Sequence, residues 1–286
     1  MHLDASAHKL FGPDSQMFTK NEIQAHARQA CVDFCSRTTI LLVPGGNLVT
    51  GGSGSAVLLR TDSGKPFLLT AAHVVEEVGW KPLRLLVPTL DKNVPDAGME
   101  AFLAPLAAGR PAEKPVDVAV VTFRADLHAE LRPLAAGMEA IPNDDDTQLD
   151  DVVILAGLPS FLSFPSPVDA RKYLFSTITH HTGVTGKDED GRLKVEWSEA
   201  VPHQSAPKYP HLDVQPGKSM PLGSPAGISG GAVWRIRGAG PGKMWSPSSH
   251  ANLIGVPVSW NQRDTEYAES VTAWGTWLKD LVRQLG

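Results

Sequence analysis

The chain is cut into short apolar runs, each closed off by glycine, proline or small polar residues. In its first half "TILLVP", "SAVLLR", "PFLLTAA", "LRLLVP" and "VDVAVVTF" alternate with stretches such as "GGNLVTGGSG" and "TDSGK". Runs this short, rich in leucine and β-branched residues and bounded by turn formers, read as strands joined by hairpins. A second series follows the polar stretch "IPNDDDTQLDD": "DVVILAG", "KYLFSTITH", "GRLKVEW", "GGAVWRI", "NLIGVPVSW" and "EYAESV". Gly 26 and Pro 23 among 286 residues make turns frequent enough to fold the chain back on itself many times, so the class expected is all-β.

Two segments break this pattern. Between Thr19 and Ser36, the residues Ile23, Ala27, Ala30, Cys31 and Phe34 recur at helical spacing, predicting an N-terminal amphipathic helix. At the other end Val271, Trp274, Trp277, Leu278, Leu281, Val282 and Leu285 make a helical stripe suited to packing on a β body. Cys31 and Cys35, the only cysteines, stand at i and i+4 on the first helix and read as small buried hydrophobes. A disulfide or metal pair is the alternative, but no further Cys completes a zinc-type spacing. The run Asp144 to Asp146 reads as a solvated linker between two halves, since it lacks the alternating oxygen ligands of a calcium loop.

Composition narrows the partners. A net charge of -5 without a basic block argues against nucleic acid. No apolar run approaches the roughly 20 residues that span a bilayer. The stretch "MHLDASAHKLFGPDSQMF" has no basic segment followed by an apolar one, so no secretory signal is expected and a cytoplasmic, reducing location fits best.

The chemistry begins with "GISGGAVW", Gly227 to Trp234, where Ser229 lies between glycines ahead of an apolar run. A serine nucleophile needs a base and a group that orients the base. In "LLTAAHVV", His73 stands at the end of an apolar strand where a short helix can start. In "VDVAVVTF", Asp117 heads an otherwise apolar strand, where a carboxylate needs hydrogen-bond donors. An imidazole Nδ1–H is such a donor, and a carboxylate holding it leaves Nε2 free to take a hydroxyl proton. Gly227 to Gly231 also satisfies G-x-S-x-G, the nucleophile elbow of α/β-hydrolases, but that fold needs an acid and then a histidine after the serine. Beyond Ser229 the only histidine is His250, and no Asp or Glu lies between them.

The three motifs "TAAHVV", "VDVAVV" and "GISGGAVW", in the order His, Asp, Ser, resemble those of the trypsin/chymotrypsin-fold serine peptidases, nearest to bacterial members. The resemblance runs from about Thr38 to the C-terminal end and takes in "VILAGLP". It implies two six-stranded antiparallel β-barrels with a helix at each end. The expected division is 1–37 as an N-terminal extension, 38–142 as the first barrel with His73 and Asp117, and 143–286 as the second barrel with Ser229 and the C-terminal helix. By the resemblance Ser229 is the nucleophile, His73 the base and then acid, and Asp117 the orienting carboxylate. The N–H groups of Gly227 and Ser229 form the oxyanion hole. No metal or organic cofactor is required. The substrate is a protein or peptide, with room for a regulatory protein partner.

The sequence departs from the family at informative places. Digestive and clotting relatives carry an acidic residue before the serine that pairs with a freed amino terminus; here it is Ile228, so the oxyanion turn must be held by local packing or ordered by substrate or a partner. The resemblance puts the primary pocket between Leu222–Gly227, including Gly223 and Ser224, and the strand Val258, Ser259, Trp260 and Asn261, with Ser259 to Asn261 pairing to the substrate backbone. Gly223 stands where trypsin has its pocket-floor aspartate, so a small or medium apolar side chain before the scissile bond is expected. Asp264 and Glu266 read as a solvated loop, the alternative being attraction of a basic side chain, and His180, His181, His203 and His211 read as surface or loop residues rather than metal ligands. The expected function is therefore a serine endopeptidase, general or dedicated to one signalling or defence substrate. The alternative is a catalytically silent trypsin-fold module that binds peptides or proteins.

Overall fold

The structure is a computed structural model that describes residues 20–43, 54–76, 84–87, 90, 92–94, 99–105, 115–143, 147–149, 151–160, 164–165, 173–174, 177–197, 199–200, 220–221, 225–237, 245–261 and 265–285. Helix α1 (Lys20–Thr38) leads directly into strand β1 (Thr39–Val43), as the apolar spacing ahead of "TILLVP" requires. The first half continues with β2 (Gly54–Arg60), β3 (Pro66–Thr70), the short helix α2 (Ala72–Glu76), β4 (Arg84–Val87), β5 (Lys92–Val94), β6 (Glu100–Leu103), β7 (Ala119–Thr122), α3 (His128–Leu131) and β8 (Ala136–Gly137). These strands form an eight-stranded sheet in the order β5-β4-β1-β2-β3-β7-β6, with β8 pairing in parallel to β2. The first of the two expected barrels is not closed among the described residues: β5 and β6 are its edges. These edge strands span three and four residues, too few to read as strands from their sequence.

The second half does close. Strands β9 (Val152–Gly157), β12 (Ile178–Lys187), β13 (Leu193–Glu196), β16 (Ala232–Ile236), β17 (Ala251–Trp260) and β18 (Thr265–Ser270) make a barrel in the order β12-β13-β18-β17-β16-β9. Two small pairs stand apart from it, β10 (Phe164–Pro165) with β11 (Tyr173–Leu174) and β14 (Glu199–Ala200) with β15 (Met220–Pro221). A short helix α4 (Pro247–His250) precedes β17, and α5 (Val271–Leu285) follows β18.

The strands read as unbroken apolar runs because several are buried on both faces. Ala56 and Leu58 of β2 point into the first sheet's own cluster, whereas Val57 and Leu59 join a larger cluster shared with the barrel residues Ile154, Ala156, Trp234 and Leu253. Both terminal helices seal that shared core, through Cys31, Phe34 and Cys35 of α1 and Trp274, Leu278 and Val282 of α5. The Phe34 ring meets Trp234 edge to face at 4.9 Å between centroids, a favoured aromatic geometry. Cys31 and Cys35 are free and buried; burial pushes the Cys31 thiol up to about 11 and that of Cys35 further still. They are packing residues, as their spacing predicts. No helix among the described residues is long and apolar enough to cross a membrane.

Candidate active site

Strand β3 ends at Thr70 and α2 begins two residues later, so His73 leaves the sheet at a strand-to-helix corner. Ala72, Val74 and Val75 are buried and anchor that corner, while the His73 side chain keeps 30% exposure. Asp117 arrives from the loop ahead of β7 and grips His73 twice: Oδ1 accepts the backbone N–H at 2.9 Å, and Oδ2 lies 2.6 Å from Nδ1. Glu269 Oε1, from β18, accepts the Asp117 N–H at 3.4 Å. With Nδ1–H donating to the carboxylate, the imidazole presents Nε2 as an acceptor.

The serine lies in a turn built from glycines that the geometry demands. Gly227 has φ +93°, and a Cβ there would sit 2.8 Å from Leu158 O. Gly230 has φ +85°, and a Cβ there would overlap Ser55 O and Thr70 Oγ1. This close approach sets Ser229 beside the Thr70–Ala71 segment that leads to His73. Ile228 N–H donates to Pro225 O at 2.9 Å, Gly231 N–H to Ile228 O at 2.8 Å, and Gly230 N–H to Pro257 O at 2.8 Å. Ile228 itself is fully buried among barrel residues, so local packing holds the turn.

Ser55 of β2 ties the two halves together at this point. Its Oγ–H donates to Gly227 O at 2.7 Å and its N–H to Ser229 O at 2.8 Å, while Oγ also accepts the Leu158 N–H at 2.8 Å. Ser55 O accepts the Thr70 hydroxyl at 2.7 Å. With the Gly227 carbonyl turned toward Ser55, the N–H groups of Gly227 and Ser229 find no acceptor among the described residues.

Of the residues expected along the substrate strand, Ser259 and Trp260 are half-buried and Asn261 is exposed. Asn261 closes the hairpin: its N–H donates to Thr265 O at 3.1 Å and its Oδ1 accepts the Thr265 N–H at 3.2 Å. An irregularity in the β17–β18 ladder between Pro257 and Ser259 accompanies a change of side for Val258, which is 7% exposed and packs in the first sheet's cluster with Ala71 and Ala72. Gly223 and Ser224 lie outside the described residues.

Two expectations are corrected. Glu266 is not on a solvated loop; it is on β18 at 2% exposure, because strand alternation sends it to the barrel interior. His180, expected at the surface or in a loop, is on β12 and buried against Trp197, whereas His181, also on β12, is exposed as expected. His203 and His211 lie outside the described residues. Among the described residues, no three His, Cys, Asp or Glu side chains form a metal-holding group.

No family model and no curated protein matches this sequence. Solved structures do. A serine endoprotease from Yersinia pestis is 15% identical with a TM-score of 0.53, the match covering 94% of this chain and 68% of that one. The Rv3671c protease from M. tuberculosis is 13% identical in both an inactive form (TM-score 0.46, 90% of this chain, 94% of that one) and an active form (0.44, 94% and 93%). The first likeness shows the fold, that of the trypsin-like serine proteases.

Proposed function

We propose that the chain is a serine endopeptidase in which Ser229, His73 and Asp117 form the catalytic triad. The observation that carries this reading is the double grip of Asp117 on His73, at 2.6 and 2.9 Å. An ion pair kept only for stability does not need to engage both the ring and the backbone of one histidine; a base that must present one nitrogen does. In the reaction Ser229 Oγ attacks the scissile carbonyl carbon as His73 Nε2 takes its proton. The negative oxygen that forms is received by the Gly227 and Ser229 N–H groups. His73 then gives the proton to the leaving amine, and water, activated by the same imidazole, releases the acyl group from Ser229. Asp117 keeps the ring oriented and offsets its positive charge throughout.

The halves take distinct parts on this reading, with 38–142 supplying base and acid, 143–286 the nucleophile, and 1–37 docking α1 on both. A fluorophosphonate probe is expected to label the wild type at Ser229, and Ser229→Ala to abolish labelling. No labelling of folded wild type would overturn the assignment. It would favour the second reading, a silent peptide-binding module. Profiling with a proteome-derived peptide library, wild type against Ser229→Ala, separates broad proteolysis from cleavage of one dedicated substrate.

A further inference from the structure

Two adjoining cavities lie where α1 meets both halves. The smaller, about 140 Å³, is bounded by Phe34 and Arg37 of α1, Arg60 at the end of β2, Ala136 of β8, Glu139 and, from the second half, Ser248 of α4. The larger, about 280 Å³, shares Phe34, Arg37 and Ser248 with it and is walled by Ala30, Asp33 and Pro247. Arg37 and Arg60 are half-buried. Among the described residues neither side chain makes an ion pair or a hydrogen bond. The Arg37 guanidinium lies over the Phe34 ring at 5.3 Å, a cation–π contact that leaves its donors unused, and its Nε is closed off from solvent without a partner among the described residues.

The neighbouring carboxylates do not serve these cations. Asp33 is one helical turn before Arg37, yet its Oδ1 accepts the Gln29 side-chain amide at 2.7 Å, and no ion pair joins it to Arg37. Glu139 is exposed, with its carboxyl against Gly137. A place in the last turn of α1 suits the charge of Arg37, but Arg60 is a strand residue to which no such dipole applies. A guanidinium half withdrawn from water has given up hydration, and only an anion replaces it well. We infer that the smaller cavity binds the phosphate of a small phosphate monoester, whose organic part lies in the larger one against Ala30, Phe34 and Pro247. A phosphate monoester carries close to two negative charges, matching two guanidiniums, and its tetrahedral oxygens accept planar forks that approach separately from α1 and β2. A carboxylate, with one charge and two oxygens, occupies a single fork. Asp33 and Glu139 repel any further negative charge, so the ester carries one phosphate on an uncharged body. The site shares no residue with Ser229, His73 and Asp117 and does not depend on the endopeptidase reading.

The test is calorimetric titration of the full chain at fixed ionic strength with phenyl phosphate, inorganic phosphate and benzoate. Wild type is expected to bind phenyl phosphate most tightly. Arg37→Gln and Arg60→Gln each weaken that binding by about tenfold or more, whereas Arg283→Gln, an exposed change on α5, leaves it as it was. Arg60 comes from a different element than Arg37, so its variant decides the matter if Arg37→Gln loosens α1. Phenyl phosphate that gives neither heat nor a rise in the thermal midpoint of folded wild type overturns the inference, as does binding that Arg60→Gln leaves unchanged. Benzoate binding as tightly as phenyl phosphate overturns the choice of a phosphate, and inorganic phosphate doing so overturns the part given to the larger cavity.

Discussion

His180 stands in the barrel wall with its ring edge-on to Trp197 at 5.6 Å between centroids and its Nε2 without a partner among the described residues. Burial disfavours the imidazolium and holds the group below its ordinary 6.5, although a hydrogen bond with the Glu196 backbone pulls the other way. As pH falls below about 6.5, the unfolded chain takes up a proton that the folded chain refuses. The stability contributed by neutral His180 is therefore full above that pH and declines as pH falls toward the folded value. The Glu266 carboxyl, raised by burial, acts in the opposite sense: its contribution is full below its ordinary 4.5 and is lost as pH rises through the folded value. Replacing His180 with leucine is expected to shrink the loss of stability between about pH 7.5 and about pH 5.5, read by denaturant unfolding against wild type. Equal losses in the two proteins would show that His180 is not a determinant of the pH profile.

Among the elements, α1 makes the most specific claim on the body. Phe34 is 4% exposed, touches Trp234 and belongs to the core shared by both halves, so α1 is a structural member rather than an appendage. Phe34→Ala is expected to destabilise the protein by about 3–5 kcal/mol; a loss below about 1 kcal/mol in chemical denaturation would mean that the helix is dispensable to the core. The helices and central strands were legible in the sequence because their apolar residues follow fixed periods, as with Trp274, Leu278 and Val282 on α5. The segments of His73 and Asp117 were legible too, since each is a polar residue intruding on an apolar run, and Ser229 stands out between glycines. What stayed hidden was set by neighbours distant in sequence. Glu266 shares "RDTEY" with charged residues and looks solvated, and only its pairing with Val195 and Trp260 reveals which way it faces. Ser55 gives no signal at all in "GSGSAV"; its role exists only because Gly227, Ser229 and Leu158 reach it from the other half.

The whole molecule is governed by that shared core. Trp234 of the barrel and Trp274 of α5 lie in one apolar cluster with Val57, Leu69 and Val120 of the first sheet. Neither half can lose its fold without exposing the other's buried face. Heat or denaturant is therefore expected to unfold the chain in one cooperative step, with tryptophan fluorescence and far-ultraviolet circular dichroism changing together. Separate transitions for the two probes would show halves that stand alone.

The Ser55 junction also bears on the order of events at the ribosome. Its Gly227, Ser229 and Leu158 partners emerge long after it does, so, on the endopeptidase reading, a partly synthesised chain holds His73 and Asp117 without their serine. Any cutting ability would arise only once the late segment has docked on the early one, and a nascent chain would be harmless to its own unfolded length.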